Sequence, residues 1–179
     1  GASNWLPISS VVINEALSAS SAPLEDMIEL RNNSPSGVAL GGWYLSHSLG
    51  NLKKYQIPAG TNLAAGGYLV FYESQFNAGA NGFALDSTGG DSIYLSAATA
   101  GNLTGYRAQV DFGAAGSGVS FGRIVNANGE HFAALTGRSF PGANTAPIVG
   151  PVVINEIMYH PPDLPAGADE GLAVTHFLA

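Results

Sequence analysis

Apolar positions fall in short runs rich in β-branched and aromatic side chains, separated by turn-forming clusters roughly every 8 to 15 residues, the spacing of a sandwich or barrel. Residues 10–17 form the first run, and Met27-Ile28-Glu29-Leu30-Arg31 alternates apolar with charged, as a half-buried strand does. Asn32-Asn33-Ser34-Pro35-Ser36-Gly37 is a turn, followed by strands at 38–40 and at Trp43-Tyr44-Leu45. Lys54-Tyr55-Gln56-Ile57-Pro58 alternates again and stops at its proline, which cannot donate to a ladder. The continuous apolar string Tyr68-Leu69-Val70-Phe71-Tyr72 is expected in the core. Phe83-Ala84-Leu85 and Ser92-Ile93-Tyr94-Leu95 are expected to form a hairpin across the glycines of 86–91, and residues 106–112 and 119–125 a second meander. Helix signals are scarce, the best being the short stretch 74–77.

One string of this pattern occurs twice. Val11-Val12-Ile13-Asn14-Glu15 returns as Val152-Val153-Ile154-Asn155-Glu156, 141 residues later, about the length of one domain. Between them the text from Thr136 to Pro151 turns to Gly, Pro, Asn, Thr and Ala, the composition of a linker. The expected organisation is an N-terminal arm or cloning remnant (1–9), a β-sandwich domain (10–144), a linker (145–151) and the truncated start of a second repeat (152–179). The strand at 152–159, cut off from its own sandwich, is expected to pair with a sheet edge or with another chain.

Composition narrows the partners. Charged residues are 11% of the chain against roughly a quarter in an average soluble protein, and 24 glycines and 10 prolines favour an all-β chain. The net charge is −7, and the six cations Arg31, Lys53, Lys54, Arg107, Arg123 and Arg138 are scattered, so a phosphate backbone is not an expected partner. No apolar run reaches the length of a membrane span. The absence of cysteine removes disulfides, thiolate metal sites and cysteine nucleophiles.

The succession Val-Val-Ile-Asn-Glu, Asp26-Met27-Ile28-Glu29-Leu30-Arg31-Asn32, Val38-Ala39-Leu40-Gly41-Gly42-Trp43-Tyr44-Leu45 and residues 57–70 resembles the lamin-tail domain of bacterial secreted and surface proteins. The resemblance covers residues 10–144 and restarts at 152. It implies an immunoglobulin-like β-sandwich, extracellular or in the cell envelope, acting as a non-catalytic module on a protein or cell-surface polymer. Asp26-Met27 departs from the family's aromatic beside the Ile-Glu-Leu strand.

Candidate chemistry is sparse. Asn14-Glu15 interrupts an apolar strand, and its first expectation is structural, with backbone or a basic side chain such as Arg31 as partner; ligand binding is the rival. Gly118-Val119-Ser120-Phe121-Gly122 matches the Gly-x-Ser-x-Gly elbow of serine hydrolases, but that motif needs a helix after the serine and Arg123-Ile124-Val125 continues a strand. Asp86 and Asp91 flank glycines and fit a turn better than a calcium loop. His47, His131, His160 and His176 lack metal-ligand spacing. Asn32-Asn33-Ser34 and Asn102-Leu103-Thr104 match the glycosylation sequon. Trp5, Tyr44 and Tyr106 are candidates for stacking on sugars, the basis of an alternative reading as a carbohydrate-binding module. No residue is assigned to catalysis, to a cofactor or to a metal.

Overall fold

The computed structural model of the chain describes residues 5–150. The backbone divides into two units at 148/149, and the sandwich lies in the first. The repeated string at 152–156 and the strand expected at 152–159 lie outside the described residues.

In chain order the strands are β1 (Leu6–Pro7), β2 (Val11–Leu17), β3 (Met27–Asn32), β4 (Val38–Ala39), β5 (Tyr44–Ser46), β6 (Tyr55–Gln56), β7 (Asn62–Leu63) and β8 (Tyr68–Tyr72). A single turn of helix, α1 (Glu73–Phe76), precedes β9 (Asp91–Thr99), β10 (Asn102–Phe112), β11 (Ser120–Asn126) and β12 (Gly129–Ala134). Two five-stranded sheets form an immunoglobulin-like β-sandwich: sheet A in the order β1-β10-β9-β5-β6 and sheet B in the order β12-β11-β2-β3-β8. A small β4-β7 pair stands apart. All neighbours in both sheets are antiparallel except β1, which runs parallel to β10.

The period of two along each strand decides which side chains meet between the sheets. Ile93 and Leu95 of β9 join Leu45 of β5 on one side, and Ile28 and Leu30 of β3 join Ile13 and Phe71 on the other. Full burial of each such side chain stabilises the fold by about 2 kcal/mol. A bulge in the β2–β3 ladder between Ile13 and Glu15 shifts the alternation by one. As a result Ile13 and Ala16 both enter the core, while Glu15 lies across the ladder from Glu29, on the sheet face opposite Ile28 and Leu30.

Three local expectations are revised. Tyr68–Tyr72 is the edge strand of sheet B, and only Phe71 of its five residues is buried. Phe83 and Leu85 are buried but belong to a loop; Phe83 stacks between Phe76 and His47, with ring centres 4.8 and 5.2 Å away, while β9 pairs with β5 and β10. Residues 106–112 and 119–125 do not form a meander, because β10 lies in sheet A and β11 in sheet B.

Residues 135–148 form a strap over the outer face of sheet B. Its two limbs are joined by Thr136 N–H to Ala146 O (2.9 Å), Ile148 N–H to Ala134 O (2.7 Å) and the Thr145 hydroxyl to Gly137 O (2.6 Å). Residues 145–148, linker-like in composition, are thus hydrogen-bonded into the domain. Gly122 lies beneath the strap: a Cβ there would stand 2.6 Å from Leu135 Cδ1 and 2.8 Å from the Asn144 amide nitrogen.

Candidate functional site: two buried carboxylates beneath the strap

Glu15 and Glu29 are both 0% exposed, which demands that their oxygens find donors within the protein. Glu15 Oε1 accepts from the Ser120 hydroxyl at 2.6 Å, and its Oε2 from the Ser139 hydroxyl at 2.5 Å; Ser139 N–H completes the set at 3.1 and 3.2 Å from the two oxygens. Glu29 Oε1 accepts from the Asn14 amide at 2.7 Å and its Oε2 from Gly142 N–H at 3.1 Å. The Asn14 amide also donates to Asn144 Oδ1 at 2.8 Å, and Asn144 returns bonds to the carbonyls of Asn14 and Arg123, both at 2.9 Å. Each carboxylate therefore binds the strap by a backbone N–H. Burial pushes the Glu29 carboxyl up to about 7, and neighbouring Glu15 adds to the rise, against the opposing bonds from Asn14 and Gly142 and the charge of Arg31.

The expected structural role of Asn14-Glu15 is what the geometry shows, with one correction. Arg31 is not their hydrogen-bond partner: its guanidinium lies 5.4 Å from the Tyr68 ring centre and its Nε has no partner. The donors to this pair come instead from Ser120, Ser139 and Asn144, and the Asn14 amide donates to Glu29, Asn144 and Gly142 O. The strap residues carried no sequence signal beyond turn composition, because two of their contacts use backbone N–H groups that any residue possesses.

Ser120 is 1% exposed at the start of β11, with its hydroxyl committed to Glu15. The strand continues to Asn126, so no helix follows the serine. Both motif glycines have other reasons: Gly118 takes φ +73°, a left-handed turn, and Gly122 makes room for Leu135 and Asn144. No histidine bonds to Ser120 among the described residues.

Asp86 sits in the loop before β9, and Asp91 is the first residue of that strand. Asp86 Oδ1 accepts from Thr88 N–H and hydroxyl, both at 2.7 Å, and from Gly89 N–H at 3.2 Å, bonds that hold its carboxyl below the usual range. Asp91 Oδ2 accepts from Asp86 N–H at 3.0 Å and faces His47 Nδ1 at 3.2 Å. Among the described residues no cluster of three or more metal-ligating side chains occurs. Asn32 of the first sequon is buried, its amide donating to Ser36 O and Leu63 O, whereas Asn102 is exposed at the start of β10.

The three aromatic candidates separate. Tyr44 is 9% exposed, with the Lys53 ammonium 5.8 Å from its ring centre. Trp5 is half-buried under the Arg107 guanidinium, at 5.3 Å. Tyr106 is 46% exposed and lines, with Trp43, Ile8, Ser9 and Ser10, a groove of about 250 Å³.

The fold and these buried contacts define an immunoglobulin-like β-sandwich domain. The family model described as Lamin Tail Domain matches residues 7–114, and the chain belongs to that family. β11, β12 and the strap lie beyond the matched residues. No curated protein and no solved structure matches the chain. No helix among the described residues is long and apolar enough to cross a membrane.

Proposed function

We propose that this lamin-tail domain is a non-catalytic binding or architectural module of a larger secreted or cell-envelope protein, bacterial in type and arranged in tandem. The observation that carries the reading is the fate of Ser120. The one nucleophile with a catalytic sequence context is sealed beneath a strap, and its hydroxyl is used to satisfy Glu15. The second Val-Val-Ile-Asn-Glu string supports the tandem arrangement, and a sequence without cysteine is compatible with an extracellular location. Its partner is a protein or a cell-surface polymer, and self-association through the 152–159 strand belongs to the same reading. Purified protein is expected to turn over no ester, peptide or nucleic-acid substrate. Turnover that disappears in Ser120→Ala while the fold is retained would overturn the reading. Light scattering on the full chain and on one ending at 148 tests self-association: a larger mass for the full chain supports it, and equal masses refute it.

A second reading, carbohydrate binding, is favoured by one observation, the exposed Tyr106 ring beside Trp43 and two serines in an open groove. Intrinsic fluorescence titration with neutral oligosaccharides, repeated on Tyr106→Ala, tests it. Saturable quenching lost in the variant supports stacking, and a flat titration refutes it.

A further inference from the structure

Glu15 and Glu29 are neighbours across the β2–β3 ladder, both wholly buried and both bonded to the strap. Every group that bonds them is neutral: the hydroxyls of Ser120 and Ser139, the Asn14 amide, and the N–H groups of Ser139 and Gly142. Neither carboxylate takes part in the ion pairs among the described residues, which are His47–Asp91 and Arg123–Glu130.

The charged and titratable groups of the surrounding elements leave the pair uncompensated. On β3, Arg31 is turned to the Tyr68 ring, 5.4 Å from its centre. On β8, Tyr68 and Tyr72 flank Val70, the residue opposite Glu29. On β11, Arg123 is engaged by Glu130, and His131 of β12 is exposed. The strap's own cation, Arg138, reaches toward Gly118, its Nη1 3.6 Å from where a Cβ there would stand.

Two adjacent carboxylates sealed from solvent and without a cation do not both ionise, since each charge is costly to desolvate and repels the other. The pair therefore retains a proton that two separate glutamates would release. The rise of the Glu29 carboxyl to about 7 has this origin, burial first and the charge of Glu15 in addition. When that proton leaves, the cheapest relief is solvent, and the strap is the covering that can admit it. Its hold on the glutamates is the bonds from Ser139 and Gly142, so lifting it breaks no ladder bond between strands of sheet B.

We propose that the strap is a proton-operated latch. It stays closed while the Glu15–Glu29 pair holds its shared proton and lifts when the pair loses it, so that residues 135–148 join the segment that leaves the domain. The latch rests on the reading of the domain as an architectural module and gives that module a means of changing its reach. The closed strap binds the proton more tightly than the open one, so closure is favoured in acid. Opening grows by about tenfold per pH unit from the ordinary glutamate range up to neutrality and levels off above it.

Amide exchange of the full chain from pH 5 to 8, corrected for the intrinsic effect of pH, tests the latch. The amides of Thr136, Ser139 and Gly142 are expected to lose protection by about tenfold per pH unit up to neutrality. They are expected to exchange faster than Leu95 in β9 and to respond little to low urea, the mark of local release. Glu29→Gln keeps the site neutral and is expected to flatten the pH dependence, with Glu15→Gln in its place where the first fails to fold. Carbon NMR of the glutamate carboxyls needs no variant, and the Glu29 resonance is expected to titrate near neutrality. Titration of Glu29 in the ordinary range, strap protection independent of pH, an undiminished slope in a folded variant, or strap amides as protected as Leu95 each overturns the latch. None of these results bears on substrate turnover, which tests the module reading separately.

Discussion

The two outer faces of the sandwich solve the same problem in opposite ways. On sheet B the polar groups include two glutamates, over which the chain returns as a strap, and every carboxylate oxygen has a donor, from Ser139 and Gly142 of the strap and from Ser120 and Asn14 of the strands; only Arg31 Nε on that face stays unmatched. On sheet A they are Arg107 and Ser96, and each leaves a buried polar atom unmatched. Both rows are buried polar residues on an outward sheet face, so burial alone does not distinguish a matched row from an unmatched one. What sets the glutamate row apart is that each of its carboxylate oxygens has a donor.

The largest test of that contrast is Glu15→Ala. It strands the Ser120 and Ser139 donors under the strap and is expected to cost about 4 kcal/mol in denaturant unfolding. A loss below about 1 kcal/mol would mean that water replaces the carboxylate and the face is not closed.

Next comes pH. The folded Glu29 carboxyl is raised to about 7 from an ordinary 4.5, so the folded state holds this proton more tightly than the unfolded chain does. Its contribution is greatest below the ordinary value and is lost as pH rises toward 7, by about 3 kcal/mol. Asp26, raised mainly by burial, acts in the same direction. Melting curves between pH 4.5 and 7.5 should show this decline, and Glu29→Gln should flatten most of it. An undiminished slope in the variant would assign the effect elsewhere.

Gly122→Ala is expected to cost about 2 kcal/mol, because the new methyl meets Leu135 and Asn144 below contact distance. Amide exchange should localise the damage to residues 135–148. The finest comparison is a pair of serine-to-alanine changes, one on each face. Ser120→Ala removes a donor that Glu15 needs and should cost about 1.5 kcal/mol, whereas Ser96→Ala deletes an unmatched hydroxyl and should be neutral or stabilising by about 0.5 kcal/mol. Equal losses at both positions would erase the distinction between the faces.

Much of this was visible in the amino-acid text, for physical reasons. The family resemblance, the all-β class and strands β2, β3 and β4 follow from motifs and alternation that are local in the chain, whereas β1, at Leu6–Pro7, falls in the stretch read as an N-terminal arm. Asn14-Glu15 stood out because polar residues inside an apolar strand need partners. The identity of those partners was hidden, since Ser139 and Asn144 lie 124 and 130 positions away and a glycine- and proline-rich strap resembles a linker. Sheet membership was hidden in the same way. Alternation indicates that β10 and β11 are strands, but the passage of the chain from one sheet to the other is settled by side chains it meets later, as the edge position of Tyr68–Tyr72 also shows.

The strap's closing bond, from Ile148 N–H to Ala134 O, lies only four positions before the second Val-Val-Ile-Asn-Glu string begins. Tension applied to the chain beyond 148 would therefore reach this bond and the Leu135–Pro147 bridge before any long strand of the sandwich. Peeling would release the limbs one bond at a time, then the two glutamates, and only afterwards load β11 and β12. In a protein anchored at both ends, that order of failure makes the strap a mechanical fuse: it gives extra length at low force while the hydrophobic core stays intact.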